Sequence, residues 1–390
     1  MNPVYIVGMA RTPIGSFNGL LASVTAPQLM ATAIKAALSR AVVQSSLVKE
    51  VYVGNVVCAN IGQAPAQQAS IAGGIPTSVP CTTVNKVCAS GMKAIMLGAQ
   101  SISNGENDIV VAGGMESMSN IPYYLDKARN GYRLGHGSVI DGVLKDGLWD
   151  PYNDYHMGSA GELCSSTYKI TREDQDEFAK QSYTRAKQAW SNGWFNNEIA
   201  AVEIAGKTTV SISEDEEYKK ANFEKMAGLK PAFQKDGTIT AANASKLNDG
   251  AAAVVLASEE IVKQNNLKPL ARIIAFADAS QAPEWFTTTP IIAMKTALSK
   301  AKLKVSDIDF CEINEAFSCV AIINAREMGI PMEKVNVWGG AVALGHPIGC
   351  SGARITITLT SILHHYKGKY GMAGICNGGG GASAIIIEKV

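Results

Sequence analysis

Short apolar runs alternate with amphipathic stretches along this chain. Apolar segments at residues 4–8, 50–57 and 108–112 predict buried strands, and apolar residues at helical spacing predict a helix over residues 26–40. Strands that alternate with helices are typical of crossover βαβ units, which build a largely parallel, buried sheet. The pattern therefore predicts an α/β fold.

The same order of elements returns after 260 residues. The segment TAIKAALSRAVVQSSLVKEVYV from Thr32 matches IAMKTALSKAKLKVSDIDFCEI from Ile292, and at nearly the same offset ASGMK from Ala89 matches CSGAR from Cys350. Self-similarity over a long period indicates repeated structural units. We expect two similar α/β halves, produced by duplication, whose equivalent helices pack against each other.

A long insertion separates the repeats and carries clustered charges, as in TREDQDEFAK and SEDEEYKK, with a helix predicted over residues 171–192. An insertion of this length is typically functional, for example a substrate lid, although for any single charge there a solvated surface is the simpler explanation. The segment from Gly250, GAAAVVLASE, resembles the closing GASAIIIEKV and completes the first half. The predicted units are a first half of residues 1–117 with 249–268, an inserted loop domain of residues 118–248, and a second half of residues 269–390.

Composition and charge restrict the partners. With 390 residues, 47% of them hydrophobic and 18% charged, the chain has enough apolar material for a large core and more than one domain. A formal net charge of +1 leaves no basic excess for a phosphate backbone, so no nucleic acid partner is expected. No apolar run reaches the roughly 18 to 20 residues that span a bilayer, so we expect a soluble protein with no membrane partner.

The eight cysteines are scattered without a CxxC pair, which argues against zinc sites and, in a chain of this size, against a disulfide framework. Unpaired, scattered cysteines indicate a reducing compartment. The first residues, MNPVYIVGMARTP, contain no signal or amphipathic leader, and the last residues, IEKV, are no peroxisomal tripeptide. The default expectation is the cytoplasm, and the mitochondrial matrix is the alternative if the chain is a processed form.

Cys88 stands immediately before a predicted helix, in the stretch VNKVCASGMKAIMLGAQ. The unpaired N–H groups and the dipole at a helix N-terminus favour a thiolate and should lower the cysteine pKa. Cys88 is therefore a candidate nucleophile. The alternative is a small buried hydrophobic residue, which is what most free cysteines are.

Further chemistry follows predicted strands and glycine runs. Asn314 follows the predicted strand 310–313, His346 lies in GGAVALGHPIGCSGAR, and Cys376 precedes the glycines of CNGGGGASA. Ligands of α/β folds bind at such strand and helix ends. A histidine near Cys88 could take its proton, and a second cysteine could act as a separate acid or base. The glycine runs match no phosphate-binding motif, so backbone N–H groups for an oxyanion are their better use.

These blocks resemble a known family. VNKVCASGMKAI, NEAF, GGAVALGHPIGCSGAR and CNGGGGASA are similar, in content and order, to the signature blocks of the thiolases, and the resemblance extends from ARTPIGSF at Ala10 to the last strand. Among thiolases, HMG from His156, TAANASKLNDGAAA from Thr240 and VAGGMESMSN from Val111 look most like the biosynthetic, acetoacetyl-CoA type.

The resemblance implies the thiolase fold, in which two duplicated βαβαβαββ halves form a five-layered αβαβα arrangement. It implies that coenzyme A is bound as a substrate beneath the loop domain and that no redox or prosthetic group is required. It also implies a homotetramer, assembled as a dimer of tight dimers. Acetyl-CoA, acetoacetyl-CoA and CoA are the expected small-molecule partners.

The family mechanism carries over onto matching residues. Cys88 would be acetylated, His346 would remove its proton, and Cys376 would deprotonate the methyl group of a second acetyl-CoA. Two oxyanion holes are implied: one from His346 with a water held by Asn314, and one from the backbone N–H groups of Cys88 and Gly378.

Substrate contacts carry over in the same way. His156 and Met157 match the short acyl pocket, Leu148 and Ser245 match contacts of the pantetheine arm, and Phe317 of the NEAF block belongs with this substrate-binding set. Lysine stands at 220 where the mitochondrial pattern has arginine, so a phosphate there would meet a point charge without a bidentate fork. The residues aligned with the nucleotide region are Tyr183, Lys220, Ala221, Asn222 and Lys225.

A potassium site is also implied. Backbone carbonyls and a phenol supply the oxygen ligands that a hard cation prefers. The residues that resemble the potassium site of the mitochondrial enzyme are Tyr183, Ala241, Ala242, Ala244 and Val342.

Three alternatives remain open at this point. A broad-range 3-ketoacyl-CoA thiolase of fatty-acid β-oxidation would share the catalytic residues but not the His156-Met157 pair. A ketoacyl synthase would need a second histidine where Cys376 stands. A non-catalytic acyl-CoA-binding protein of the same fold would be acetylated at Cys88 without turnover.

Overall fold

The computed structural model describes residues 2–390. The strands predicted from apolar runs are all present, and three of them differ at one end: β1 continues to Arg11, β5 continues to Ser117, and β3 stops at Gly54. Strand β3 stops there because the N–H groups of Val56 and Val57 donate to the Glu116 carboxylate, at 2.9 and 3.1 Å, and so leave the ladder. The strands are β1 Val4–Arg11, β2 Gly15–Ser16, β3 Glu50–Gly54, β4 Cys81–Val84, β5 Ile109–Ser117, β6 Tyr123–Tyr124, β7 Ile140–Asp141, β8 Trp149–Asp150, β9 Tyr155–His156, β10 Val202–Ile204, β11 Val210–Ile212, β12 Asn248–Ser258, β13 Ala271–Ser280, β14 Phe310–Ile313, β15 Tyr370–Asn377 and β16 Gly381–Lys389.

Several helices begin at residues whose side chains pair with backbone N–H groups near the first turn. Thr25 and Gln28 form a capping box at the first helix, and Thr171 with Asp174 does the same at the fifth. None of the helices within residues 2–390 is long and apolar enough to cross a membrane. The helices are α1 Ala26–Ala41, α2 Pro65–Ala72, α3 Ser90–Ser103, α4 Met157–Thr167, α5 Arg172–Ser191, α6 Phe223–Met226, α7 Glu259–Gln264, α8 Thr289–Ala301, α9 Ser318–Met328, α10 Ala341–Leu344 and α11 Ser351–Tyr366.

One large sheet runs through the molecule in the order β14-β15-β16-β13-β1-β12-β5-β3-β4, with β2 beside β12. The prediction of a largely parallel sheet is wrong, because β12 and β16 pair antiparallel with both of their neighbours. Strand β16 follows β15 through the short turn 378–380, and a turn of this length permits only an antiparallel hairpin. The two halves join where β1 pairs antiparallel with β13, so that Val4 lies opposite Ile273.

Helices α3 and α11 pack against each other in the centre, between the sheet strands of the two halves. Helices α1 and α2 cover the outer face of the first half, and α8 and α9 cover that of the second. This arrangement gives the five layers αβαβα. The central helices approach closely through repeated glycines: a Cβ on Gly91 would lie 2.8 Å from the Gly349 carbonyl, and one on Gly352 would lie 2.5 Å from the Met92 nitrogen.

Candidate active site

Cys88 lies in a tight turn between β4 and α3. The preceding residue, Val87, has φ of +47°, which is strained for a β-branched side chain. Two side chains hold this turn: Asn85 Oδ1 accepts from the Val87 N–H at 3.0 Å, and Ser90 Oγ donates to the Val87 carbonyl at 2.6 Å and accepts from the Lys86 N–H at 2.8 Å. The turn therefore presents Cys88 two residues before the first residue of α3.

Cys88 is half-buried and packs against the apolar cluster that contains Met118 and Ile348. Burial raises the pKa of Cys88 to about 12, while backbone N–H groups of Gly378 and of Cys88 itself act in the opposite direction. The prediction of a lowered pKa is therefore wrong for the free protein, because desolvation outweighs the helix N-terminus. Cys88 rests as a thiol and needs a base before it can attack a substrate.

His346 lies in the loop between α10 and α11, and side chains of β5 and β12 hold this loop. Asn248 Oδ1 accepts from the His346 N–H at 2.8 Å, and Glu116 Oε2 accepts from the Gly349 N–H at 3.0 Å. At Gly345, with φ of +107°, a Cβ would lie 2.5 Å from the Asn248 side chain. The glycine-dense loop is therefore fitted closely around Asn248.

The imidazole of His346 is buried and is held by Ser351, the first residue of α11. His346 Nδ1 lies 2.6 Å from Ser351 Oγ, and that hydroxyl donates its own proton to the Pro347 carbonyl at 2.9 Å. Nδ1 must therefore carry the proton, and Nε2 is left with a free lone pair. Burial lowers the pKa of His346 to about 3, so the ring is neutral near pH 7 and is able to accept a proton at Nε2.

Cys376 and Asn314 complete this group at the ends of β15 and β14. Cys376 is fully buried, and burial together with the nearby Cys88 raises its pKa well above the usual range. Asn314 Nδ2 lies 3.5 Å from His346 Nε2, and its buried Oδ1 has no hydrogen-bond partner within residues 2–390. An unpaired buried oxygen at this position matches the predicted role of holding a water.

Gly378 begins the turn after β15. A Cβ there would meet Val87 Cγ1 at 3.6 Å, an ordinary contact, so packing within the chain does not demand glycine at this position. Gly379 and Gly380 both have φ of +80°, and the turn itself demands glycine at these two positions.

A cavity of about 470 Å³ reaches His346 and is lined mostly by apolar side chains. Contacts between rings narrow the cavity on one side. His156 stacks on Phe233 with ring centroids 4.6 Å apart, and Phe233 meets Phe317 edge-on with centroids 5.8 Å apart. Met157 is buried between the cavity wall and Gly378. The predicted site residues that line the cavity are Leu148, His156, Lys220, Ala241, Ala244, Ser245, Phe317 and His346.

Several lining residues were not predicted from the sequence. Phe233 carried a weak signal, because Gly158 of the HMG block leaves the space for its ring: a Cβ on Gly158 would lie 2.3 Å from Phe233. Ser351, which holds His346 and lies outside the cavity wall, was also missed. Its repeat partner Ser90, which holds the Cys88 turn, was the signal that could have found it. The other unpredicted lining residues are Ser16, Phe17, Met118, Leu144, Glu217, Lys246, Leu247 and Ile348.

The predicted nucleotide region lies at the rim of the cavity. Ala221, Asn222 and Lys225 are exposed, and Asn222 Oδ1 accepts from the Lys225 N–H at 3.2 Å at the start of α6. Lys220 Nζ contacts the Ser16 hydroxyl and lies 3.5 Å from a Glu217 carboxylate oxygen. Tyr183 lies apart from this exposed group, because it is buried in the core beneath α10.

Three of the five predicted potassium ligands contact an ammonium group. Lys246 Nζ donates to Tyr183 Oη at 2.7 Å, to the Ala244 carbonyl at 2.7 Å and to the Val342 carbonyl at 3.1 Å. Burial lowers the pKa of Lys246 to about 8, although the negative charges of Glu217 and Glu315 raise it. The side chain is therefore cationic at neutral pH. A second cation cannot share these oxygens with an ammonium group, so the residues present do not fit a potassium ion here.

A duplicated α/β scaffold with a neutral imidazole in a cavity wall and two cysteines close to each other is typical of a cysteine-dependent acyltransferase. Comparison with known families makes the assignment specific. Family models described as thiolase, N-terminal domain and thiolase, C-terminal domain match residues 4–260 and 267–389, and the chain belongs to the thiolase family.

Full-length relatives and a solved structure agree with this assignment. Acetyl-CoA acetyltransferase 1 of Arabidopsis thaliana is 55% identical over 99% of this chain and 94% of its own length. The cytosolic acetyl-CoA acetyltransferase ERG10 of Gibberella zeae is 53% identical over 100% of this chain and 98% of its own. The crystal structure of Acat5 thiolase from Ascaris suum in complex with coenzyme A has a TM-score of 0.95 at 46% identity, with complete coverage of both chains.

Proposed function

We infer that this protein catalyses the reversible condensation of two acetyl-CoA molecules to acetoacetyl-CoA and CoA, together with the reverse thiolysis. The relatives named acetyl-CoA acetyltransferase match it at 53–55% identity over nearly the full chain. The observation that carries this function is that His346 lines a cavity narrowed by the stacked rings of His156 and Phe233, while Cys88 lies close to both Gly378 and Cys376. A narrow acyl end favours a two-carbon group over a long chain.

The first half-reaction uses Cys88 and His346. His346 Nε2 accepts the thiol proton, and the thiolate attacks the carbonyl carbon of acetyl-CoA. The bond from that carbon to the CoA sulfur then breaks, and CoA leaves with a proton donated by Cys376, while His346 keeps the proton of Cys88. The protonated Nε2, with a water held at Asn314 Oδ1, is suited to donate hydrogen bonds to the thioester oxygen of the second acetyl-CoA, which becomes negative when its methyl group loses a proton.

The second half-reaction uses Cys376. As the thiolate left by the first half-reaction, it removes a proton from the methyl group of a second acetyl-CoA, and the resulting carbanion attacks the carbonyl carbon of the acetyl group on Cys88. The bond from that carbon to the Cys88 sulfur then breaks, and His346 returns its proton to the Cys88 thiolate. The backbone N–H groups of Gly378 and Cys88 both hydrogen-bond to the Cys88 sulfur and lower its pKa. This proximity supports their role as an oxyanion hole for the acetyl oxygen on Cys88. In thiolysis, the raised pKa of Cys376 keeps it protonated and able to return the proton.

CoA-dependent cleavage of acetoacetyl-CoA beside a long-chain 3-ketoacyl-CoA tests this function. We expect fast cleavage of acetoacetyl-CoA, slow cleavage of the long chain, and loss of both in Cys88→Ala, while Cys58→Ala, at an exposed cysteine, stays active. Equal or better cleavage of the long chain would assign the protein to broad-range β-oxidation thiolases. Acetylation of Cys88 without turnover would identify a non-catalytic acyl-CoA-binding protein.

Assembly and location complete the proposal. We expect a homotetramer, supported by exposed apolar side chains within residues 123–139, among them Tyr123, Leu134 and Val139. Light scattering after size exclusion tests this expectation. A cytosolic location is supported by the Gibberella zeae relative, and cell fractionation tests it.

We also propose the division into residues 1–117 with 249–268, 118–248 and 269–390. Strand β12 supports this division, because it follows the insertion in sequence but pairs between β1 and β5 of the first half. Limited proteolysis, with cleavage expected first within the insertion, tests the division.

A further inference from the structure

The ammonium group of Lys246 has no hydrogen-bonding capacity left for a ligand. An ammonium carries three N–H donors, and within residues 2–390 these meet three acceptors: the Tyr183 hydroxyl, the Ala244 carbonyl and the Val342 carbonyl. The group also lies over the Tyr183 ring, 5.3 Å from its centroid. Although Lys246 lines the cavity, its charge is directed into the protein and away from a bound substrate.

The three acceptors come from segments that are distant in sequence. Tyr183 belongs to α5 in the insertion, Ala244 lies in the loop before β12, and Val342 lies in α10. Ser245, next to Ala244, lines the cavity, and His346 follows α10 directly. Lys246 therefore connects the wall that would hold the pantetheine arm to the loop that carries the proposed base.

Neighbouring charges favour a monovalent cation at this point. The negative charges of Glu217 and Glu315 favour the cationic form of Lys246. The Glu315 carboxylate also accepts from the Val342 N–H at 2.9 Å and from Ser182 Oγ at 2.8 Å. Two carbonyl oxygens and one phenol oxygen directed at one point, beside two carboxylates, form a site for a cation that prefers oxygen ligands. Without a positive charge there, these buried oxygens would lose their partner.

We propose that Lys246 is an internal cation that takes the place of a bound potassium ion, so that the cavity wall and the His346 loop stay ordered without any monovalent salt. The proposal concerns how the site is held together, and its stability measurements do not depend on the proposed reaction.

The test compares potassium, sodium and choline chloride at equal concentration. For the unaltered protein, we expect the same Tm in all three salts and the same KM for CoA. Lys246→Ala removes the ammonium and leaves room for an ion, so its Tm should fall by about 4 °C and recover by about 2 °C or more in potassium but not in choline. Lys246→Met removes the charge but fills the space, so its Tm should fall without recovery.

Lys187→Ala is the matched control, because Lys187 is an exposed lysine on the helix that carries Tyr183. It should behave like the unaltered protein in every salt. A clear rise in Tm or a fall in KM that potassium alone produces in the unaltered protein would overturn the proposal. So would a Lys246→Ala protein that folds but gains no stability from potassium. If Lys246→Ala does not fold, the comparison of salts on the unaltered protein still decides.

Discussion

His346 Nδ1 lies 2.6 Å from Ser351 Oγ, and this contact decides which imidazole nitrogen is free to act as a base. Ser351 is the repeat partner of Ser90, and the two serines begin the two central helices. Ser90 holds the backbone turn before Cys88, whereas Ser351 holds the imidazole of His346. The duplication has therefore placed the same residue type under both reacting groups.

Ser351 is expected to act as a positioning residue. In Ser351→Ala, Nδ1 loses its acceptor and the imidazole loses its fixed tautomer, so kcat should fall by about tenfold or more while KM for CoA changes little. Ser351→Thr keeps the hydroxyl and should restore most of the activity. Ser361→Ala, at a buried serine of the same helix that donates to Glu198, is the control and should keep kcat. Equal losses in Ser351→Ala and Ser351→Thr would contradict this role.

The depressed pKa of His346 predicts a pH dependence of stability. The pKa falls from 6.5 in the unfolded chain to about 3 in the folded one, so the unfolded chain binds more protons between these values. His346 thus favours folding fully above pH 6.5, and this contribution declines as the pH falls toward 3. From pH 6.5 to 5.5, the free energy of unfolding should decline by roughly 1 kcal/mol more than in His346→Asn.

Urea unfolding at several pH values measures this difference. His136→Asn is the control, because His136 is exposed, and its pH profile should follow that of the unaltered protein. Parallel profiles for His346→Asn and the unaltered protein would show that His346 keeps an ordinary pKa in the folded state.

The glycine contact between the central helices predicts a packing defect. In Gly91→Ala the new methyl group would lie 2.8 Å from the Gly349 carbonyl and 3.0 Å from the Ala353 nitrogen, and backbone atoms cannot move aside cheaply. We expect a loss of about 1–3 kcal/mol in unfolding free energy, with lower activity because Cys88 precedes this helix. Gly228→Ala, where the methyl group would meet only the Lys225 carbonyl at 3.8 Å, is the control. Stability of Gly91→Ala equal to that of the control would refute the defect.

Phe233 is expected to limit the length of the acyl group. Removing its ring in Phe233→Ala leaves His156 without its stacking partner and widens the cavity beside Phe317. The ratio of kcat/KM for a six-carbon 3-ketoacyl-CoA over acetoacetyl-CoA should rise by about tenfold. Tyr152→Ala, at an exposed ring, should leave the ratio unchanged. An unchanged ratio in Phe233→Ala would place the limit elsewhere, with Met157 the next residue to change.

The sequence alone determined the local elements, the repeat and the family. Helix α1 and strand β14 lie where apolar spacing places them, because helix and strand periods are local properties of the chain. The order of the blocks around Cys88, His346 and Cys376 was sufficient to identify the family, since a chemical role restricts residue type and spacing directly.

Only the tertiary structure decided the direction of β12 and β16, the raised pKa of Cys88 and the position of Lys246. Burial of Cys88 comes from an apolar cluster of residues distant in sequence, Met118 and Ile348 among them, so a prediction from the nearby helix N-terminus alone was wrong. Lys246 meets Tyr183 and Val342 because three segments pack together at one point. Desolvation and such long-range contacts depend on packing, and no local pattern of residues encodes them.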